Sequence, residues 1–149
     1  MPSANAPDLG LVDALAQLTF AVHGSLTRVA AAHDASVVQA RLLGILRDRQ
    51  PTINELATFL DLDKSSVTGL VDRAEERGLV RRTPSRVDGR RVHVTITAAG
   101  RRLIDRATAA FAHDIDALVA DLGPSQRTRL SELATRVVAA DAHRRGVMI

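Results

Sequence analysis

The sequence predicts a mainly α protein with one small β-hairpin (α+β): a winged helix-turn-helix carried by a helical dimerisation lobe built from the N- and C-terminal helices. Three observations predict it. Thr52 and Glu55 stand three apart before a short apolar run, the pattern in which a hydroxyl and a carboxylate satisfy each other's free backbone amides at a helix start. A second helical pattern follows after only Asp61-Leu62-Asp63, which is the layout of a helix-turn-helix. Beyond it, Val92–Thr97 alternates apolar and polar at the two-residue period of a strand, and with Leu79–Arg82 it brackets an Asp88-Gly89 turn signal.

Taken in order, residues 1–7 read as an irregular start, and a long helix is expected from Asp8 to Ala32. In it Leu11, Leu15, Leu18, Val22, Leu26 and Val29 step by three or four, close to a coiled-coil seam. Ser36 suits the cap of a second helix running to about Asp48, with Leu42, Leu43, Ile45 and Leu46 as its core, and Pro51 stops it. Leu56, Ala57 and Leu60 point inward from the helix opened by Thr52. Gly78 can take the left-handed conformation that ends the next helix, and Thr97 caps the one after the hairpin. That helix is long, its period held by Leu103, Ile104, Ala107, Phe111, Ile115, Leu118 and Leu122 until Gly123-Pro124 breaks it. Pro124 then suits the first position of a final helix with Leu130, Leu133, Val137 and Val138 as its apolar face.

Length and composition bound the architecture. A chain of 149 residues is one domain, or two lobes sharing a core; 46% of it is hydrophobic but only 2% aromatic, so the core must come from Leu, Val, Ile and Ala. The end helices are too apolar and too extended for so small a monomer. We therefore expect residues 8–35 plus 98–149 to form a dimerisation lobe around a winged helix-turn-helix at 36–97, the alternative being a monomeric bundle. With no Cys there are no disulfides and no thiol chemistry. Residues 1–7 lack a basic n-region and no apolar run approaches membrane-spanning length, so a soluble, cytoplasmic chain without a membrane partner is expected.

The second helix of the pair carries the candidate chemistry. Val67, Leu70, Val71 and Ala74 recur at i, i+3, i+4 and i+7, so one face buries, while Lys64, Ser65, Ser66, Thr68, Gly69, Asp72 and Arg73 fall on the other. Asp63 can accept from the free amides of the first turn. Small polar side chains near a capped helix start suit a major groove: hydroxyls reach base edges and phosphates, and Gly69 lets the backbone come close. Arg73 reads as a phosphate clamp or a partner of Asp72. The hairpin tip adds Arg86, Asp88, Arg90 and Arg91. Between Lys64 and Arg102 stand ten basic residues and four acids, a net of +6, which leaves −3 for the rest of a chain whose total is +3. Basic charge gathered on one recognisable element points to nucleic acid.

These residues carry a family resemblance. The run from Leu70 to Arg82, then Asp88-Gly89-Arg90-Arg91, then Val94-Thr95-Ile96-Thr97-Ala98-Ala99-Gly100, resembles the multiple-antibiotic-resistance regulator (MarR) family, closely in the middle third and by layout at the helical ends. Ala74 and Ile96 depart from it, each standing where the family usually has Leu. The resemblance implies a wing whose Arg90 enters the minor groove, where a narrow A·T tract concentrates negative potential. Asp88 would orient Arg90 as a bidentate partner or stabilise the turn, and Arg91 would contact a phosphate. It also implies an effector pocket, for which His23, Arg41 and Phe111 are candidates. Many relatives bind anionic phenolic compounds, which an Arg would suit, and the lack of Cys argues against the family's thiol-based peroxide sensing.

Enzyme signatures are absent: there is no HExxH, no Gly-rich phosphate loop and no GxSxG. His113 and Asp116 share a helical face, and a metal site completed by His23 or His33 is the alternative to a solvated pair; the solvated pair is preferred. His93 and His143 read as surface residues. The expectation is a homodimer that binds double-stranded DNA at a pseudo-palindromic operator, a repressor released by a small-molecule effector, with no cofactor and no metal. The alternative is a winged helix that docks on a protein and never reads DNA.

Overall fold

The structure, a computed structural model, describes residues 7–147, so the irregular start lies, but for Pro7, outside the described residues. The order is α1 (Gly10–Ala32), α2 (Val37–Asp48), α3 (Ile53–Leu60), α4 (Lys64–Glu76), β1 (Val80–Pro84), β2 (Val92–Ile96), α5 (Ala98–Leu118) and α6 (Pro124–Arg144). It is the expected α+β layout. Among the described residues no single helix is long and apolar enough to cross a membrane.

Local chemistry sets most of the boundaries. Ser36 caps α2 through Gln39 N and receives Gln39 in return, a capping box like that of Thr52 and Glu55 on α3. In the latter, Thr52 N–H donates to Glu55 Oε2 at 2.7 Å, and Glu55 N–H to Thr52 Oγ1 at 3.3 Å. Asp61 closes α3 in the left-handed region (φ 55°), a conformation Asp tolerates better than most residues. Gly78 does the same after α4 at φ 69°, and there Leu79 N–H returns to Ala74 O at 2.9 Å. Pro124 opens α6, where Gly123 N–H donates to Gln126 Oε1 at 2.8 Å. One boundary differs from expectation. α5 ends at Leu118, not Leu122, because the chain tightens beforehand: Ala120 N–H bonds Ala117 O and Leu122 N–H bonds Val119 O, three residues back in each case.

The chain divides into two compact units, Ala30–Ala109 and the described residues flanking it on either side. The division falls inside α1 and α5, where we had placed it at their ends. The cause is packing: Ala30, Leu103, Ile104 and Ala107 are buried, and Leu103 and Ile104 belong to the winged-helix core.

Within Ala30–Ala109, α2, α3 and α4 close on the hairpin around Leu42, Leu56, Val67, Val71 and Val94, all fully buried. β1 and β2 are antiparallel in the register Val80↔Ile96 to Pro84↔Val92. β2 is also tied to the α2–α3 connection: Val94 N–H donates to Pro51 O at 2.8 Å, and His93 Nδ1 lies 2.7 Å from Gln50 O. His93 is therefore half-buried and bonded, not the free surface residue expected. Thr97 holds the far end, its hydroxyl donating to Gly78 O at 2.6 Å and accepting from Gly100 N–H at 3.1 Å. Gly100 is buried there so tightly that a Cβ would collide with Leu79 O and Ile96 Cγ1.

In the flanking unit, α1 and α5 are tied through Asp114, which accepts from the buried Ser25 hydroxyl at 2.6 Å and from Arg28 Nη2 at 3.0 Å. The Ser25 hydrogen bond, helped by Arg28, holds the Asp114 carboxyl below its usual range. Apolar side chains elsewhere in the unit stay uncovered. Leu11, Val12, Leu15 and Phe20 of α1, Leu118 of α5, and Leu130, Leu133, Val137 and Val138 of α6 are all exposed, and Ala142 is the one buried residue of α6.

Candidate nucleic-acid interface

α4 divides its faces as its sequence requires. Val67, Leu70, Val71 and Ala74 are 4% exposed or less, which leaves Lys64, Ser65, Ser66, Asp72 and Arg73 exposed and Thr68 and Gly69 half-exposed. Asp63 caps the helix through Ser66 N–H at 2.9 Å and also takes the Ser66 hydroxyl at 2.6 Å. Those two bonds pull the Asp63 carboxyl below its ordinary range, so it stays charged. The Thr68 hydroxyl donates to Lys64 O at 2.8 Å. Both hydroxyl protons are thus engaged within the helix, and what Ser66 and Thr68 offer outward is acceptor lone pairs. Ser66 and Thr68 lie on the side of α4 away from its buried face, where the sequence predicted them.

The wing tip is a tight turn in which Arg91 N–H donates to Asp88 O at 2.9 Å. Asp88 Oδ1 accepts from Arg90 N–H at 3.1 Å, and its other oxygen lies 3.8 Å from Arg91 Nε. Of the two roles considered for Asp88, the structure has the turn-stabilising one: it holds the Arg90 backbone and no side-chain pair with Arg90 forms. Ser85 supports the other limb, accepting from the Val87 and Asp88 amides at 3.2 Å each. Arg86, Arg90 and Arg91 are exposed.

The helix starts and the wing meet in a groove of about 530 Å³ lined by Asn54, Glu55, Lys64, Arg90 and Arg91 among others. Lys64, from the start of α4, and Arg90 and Arg91, from the wing, are thereby brought together. Glu55 is the acid in that groove; its capping bonds to the Thr52 backbone and hydroxyl keep it ionised. A second hollow of about 630 Å³ on the outer wing is lined by Arg81, Arg86 and His93 with Thr83 and Thr95.

One residue was missed by sequence reasoning. Arg82 of β1 donates to Asp72 Oδ1 at 2.6 Å and to Glu75 Oε2, and its own N–H donates to Glu75 Oε1 at 3.0 Å. Burial works against its charge, but the hydrogen bonds to Asp72 and Glu75 outweigh that and hold the guanidinium above its ordinary range. Asp72 is therefore the partner of Arg82, and the pairing considered for Arg73 does not form. The signal was present in the sequence as an Arg on a strand after an acidic helix end, but the pairing spans ten residues and a chain reversal.

Of the effector candidates, His23 and Phe111 fall in the flanking unit and Arg41 in Ala30–Ala109. His23 is exposed on α1 and Phe111 half-buried on α5. Arg41 of α2 closes the end of α3, donating to Phe59 O at 2.9 Å and Leu60 O at 3.3 Å. Asp116, considered with His113 for a metal, lies 3.5 Å from Arg127 Nη1. Among the described residues no group of three or more His, Asp or Glu side chains could hold a metal ion.

Two short helices joined by a tight turn, the second with an exposed polar face, and a basic hairpin beside it define a winged helix-turn-helix. Residues 33–91 match the model of the MarR family. It is 23% identical over 140 residues to the HTH-type transcriptional regulator PecS of Dickeya dadantii strain 3937, covering 91% of this chain and 84% of that protein. It is 37% identical over 90 residues to the HTH-type transcriptional repressor IacR of Pseudomonas putida, covering 57% of this chain and 54% of that protein. Its fold matches the crystal structure of CouR from Rhodococcus jostii RHA1 bound to p-coumaroyl-CoA, with a TM-score of 0.73 at 25% identity over 85% of this chain and 87% of that one.

Proposed function

We propose that the chain is a MarR-family regulator that binds a pseudo-palindromic operator as a homodimer, with α4 in the major groove and Arg90 in the flanking minor groove, and that it represses until a small molecule releases it. The observation that carries the reading is the groove in which Lys64, at the start of α4, meets Arg90 and Arg91 of the wing. A helix face of small polar groups beside exposed wing cations is what two adjacent grooves of a duplex require. The uncovered apolar faces of α1 and α6 support the dimer, since monomers rarely leave so many aligned aliphatic side chains in water. The relative named a repressor supports the direction of control, and the CouR complex supports a small-molecule effector.

The test is binding of the full chain to its own upstream DNA across a salt series. Contacts with several phosphates should make affinity fall steeply between roughly 50 and 200 mM salt, with half-sites about 10 base pairs apart in a footprint. A salt-independent association with protein in place of DNA would support the protein-docking alternative.

A further inference from the structure

Arg73 stands between acids in the sequence, with Asp72 before it and Glu75 and Glu76 after it. Arg82 holds Asp72 and Glu75 by the bonds described above. Helical side chains lean toward the helix start, which carries Arg73 away from Glu76. Its guanidinium makes no hydrogen bond or ion pair among the described residues. It lies back over Gly69, where an added Cβ would come within 3.3 Å of Nη1. Ser66, Gly69 and Arg73 stand at i, i+3 and i+7 and so share one exposed face. On that face Ser66 has already donated its hydroxyl proton to Asp63. Arg73 therefore supplies the hydrogen-bond donors there, and the bare backbone at Gly69 leaves room for a base edge to approach them.

We infer that Arg73 reads a guanine in each operator half-site from its seat over Gly69, and that Arg82 is a positioning residue which keeps Arg73 free by holding Asp72 and Glu75. The inference rests on the DNA-binding reading above and gives α4 a base preference. A guanidinium presents a planar fork of donors that matches the two acceptors, O6 and N7, on the major-groove edge of guanine. The acceptor-only hydroxyls of Ser66 and Thr68 complement it, favouring the amino groups of adenine or cytosine at neighbouring positions. A phosphate clamp would instead sit at the rim of the helix and carry no base information.

The experiment selects binding sites for the full-length protein from a randomised duplex pool, then repeats the selection with variants. Wild type should select a motif with one fixed guanine per half-site. Arg73→Ala should lose discrimination at that position by roughly 5- to 150-fold, leaving the other positions unchanged. Replacing the guanine with 7-deazaguanine should weaken wild type but not Arg73→Ala. Arg82→Gln should dull the same position by freeing Asp72, and adding Asp72→Asn should restore it, a rescue that simple loss of a strand anchor would not allow. The Arg73 assignment is overturned if Arg73→Ala weakens every sequence evenly and keeps the motif, which leaves DNA binding standing. The Arg82 assignment is overturned if Arg82→Gln keeps the guanine preference or Asp72→Asn fails to rescue it. A wild-type protein that selects no motif overturns the DNA-binding reading itself.

Discussion

Two polar-faced helices of this chain, α4 and α6, meet opposite fates. In the winged unit, α4 buries Val67, Leu70, Val71 and Ala74 to 4% exposure or less, whereas α6, with 21 residues against 13, buries Ala142 alone and leaves Val137 64% exposed. The two patterns look alike in the sequence: each is a helical stripe of aliphatic residues with charge on the other side. What separates them is the presence of covering elements within the chain. α4 has α2, α3 and the hairpin to close against; α6 presents its stripe to solvent. The lesson is that a stripe predicts burial without saying what provides it, and for α6 we assign that task to a second copy.

The largest effect expected from breaking the contrast lies on α6. Val137→Glu should place two carboxylates in the proposed dimer contact, one from each copy, at a cost of roughly 4 kcal/mol, so sedimentation should show association weakened several hundredfold. If the wild type already sediments as a well-folded monomer at micromolar concentration, the contrast has been misread. Next comes the closed core. Leu56 is fully buried, and Leu56→Ala should cost about 2–5 kcal/mol in denaturant unfolding through lost contacts and a cavity. Unlike the α6 change, this loss should not vary with protein concentration.

Smaller again is the wing. In the proposed dimer each copy contributes one Arg90, exposed and held only through its backbone, so Arg90→Ala should weaken operator binding at least ~30-fold in a titration while the melting temperature stays put. A change within twofold would reduce Arg90 to one more screened surface charge. Asp88→Ala should give a milder form of the same defect by loosening the turn.

The smallest effect is on acid sensitivity. Asp63 and Asp114, one in each unit, are held below the ordinary aspartate range by hydrogen bonds to Ser66 and Ser25 respectively. A depressed carboxyl stabilises the fold fully above its unfolded value, about 3.9, and that contribution is lost as pH falls through the lower folded value. Melting scans from about pH 5 downward should therefore show a loss that Asp63→Asn and Asp114→Asn each partly flatten. Unaltered acid profiles would mean that neither bond matters to stability.

How much was legible follows from how far each signal reaches along the chain. The capping residues at Ser36, Thr52 and Asp63, the Gly78 stop and the Asp88-Gly89 turn act within three or four residues, and each was visible in the sequence. So was the composition of the exposed α4 face. What could not be read were choices among competing partners. Arg82 lies ten residues from Asp72, and only the folded hairpin shows that it, not Arg73, takes that carboxylate. Arg41 was a pocket candidate through the family resemblance, and nothing local in the sequence showed that its guanidinium donates to the end of α3. The division inside α1 and α5 was hidden because their apolar period runs through it unbroken.

The collision awaiting any Cβ at Gly100 has a genetic consequence. The residue is buried against the Leu79 carbonyl, where the chain leaves α4 for the wing, so any replacement must pry that crossing apart. A screen for alleles that have lost operator control should recover changes at codon 100 alongside those at the DNA-facing positions. Their suppressors should be rare, because the nearest atom is the Leu79 backbone carbonyl, which no side-chain change can trim. Such alleles would be inherited as defects in DNA recognition at a residue that never meets the DNA.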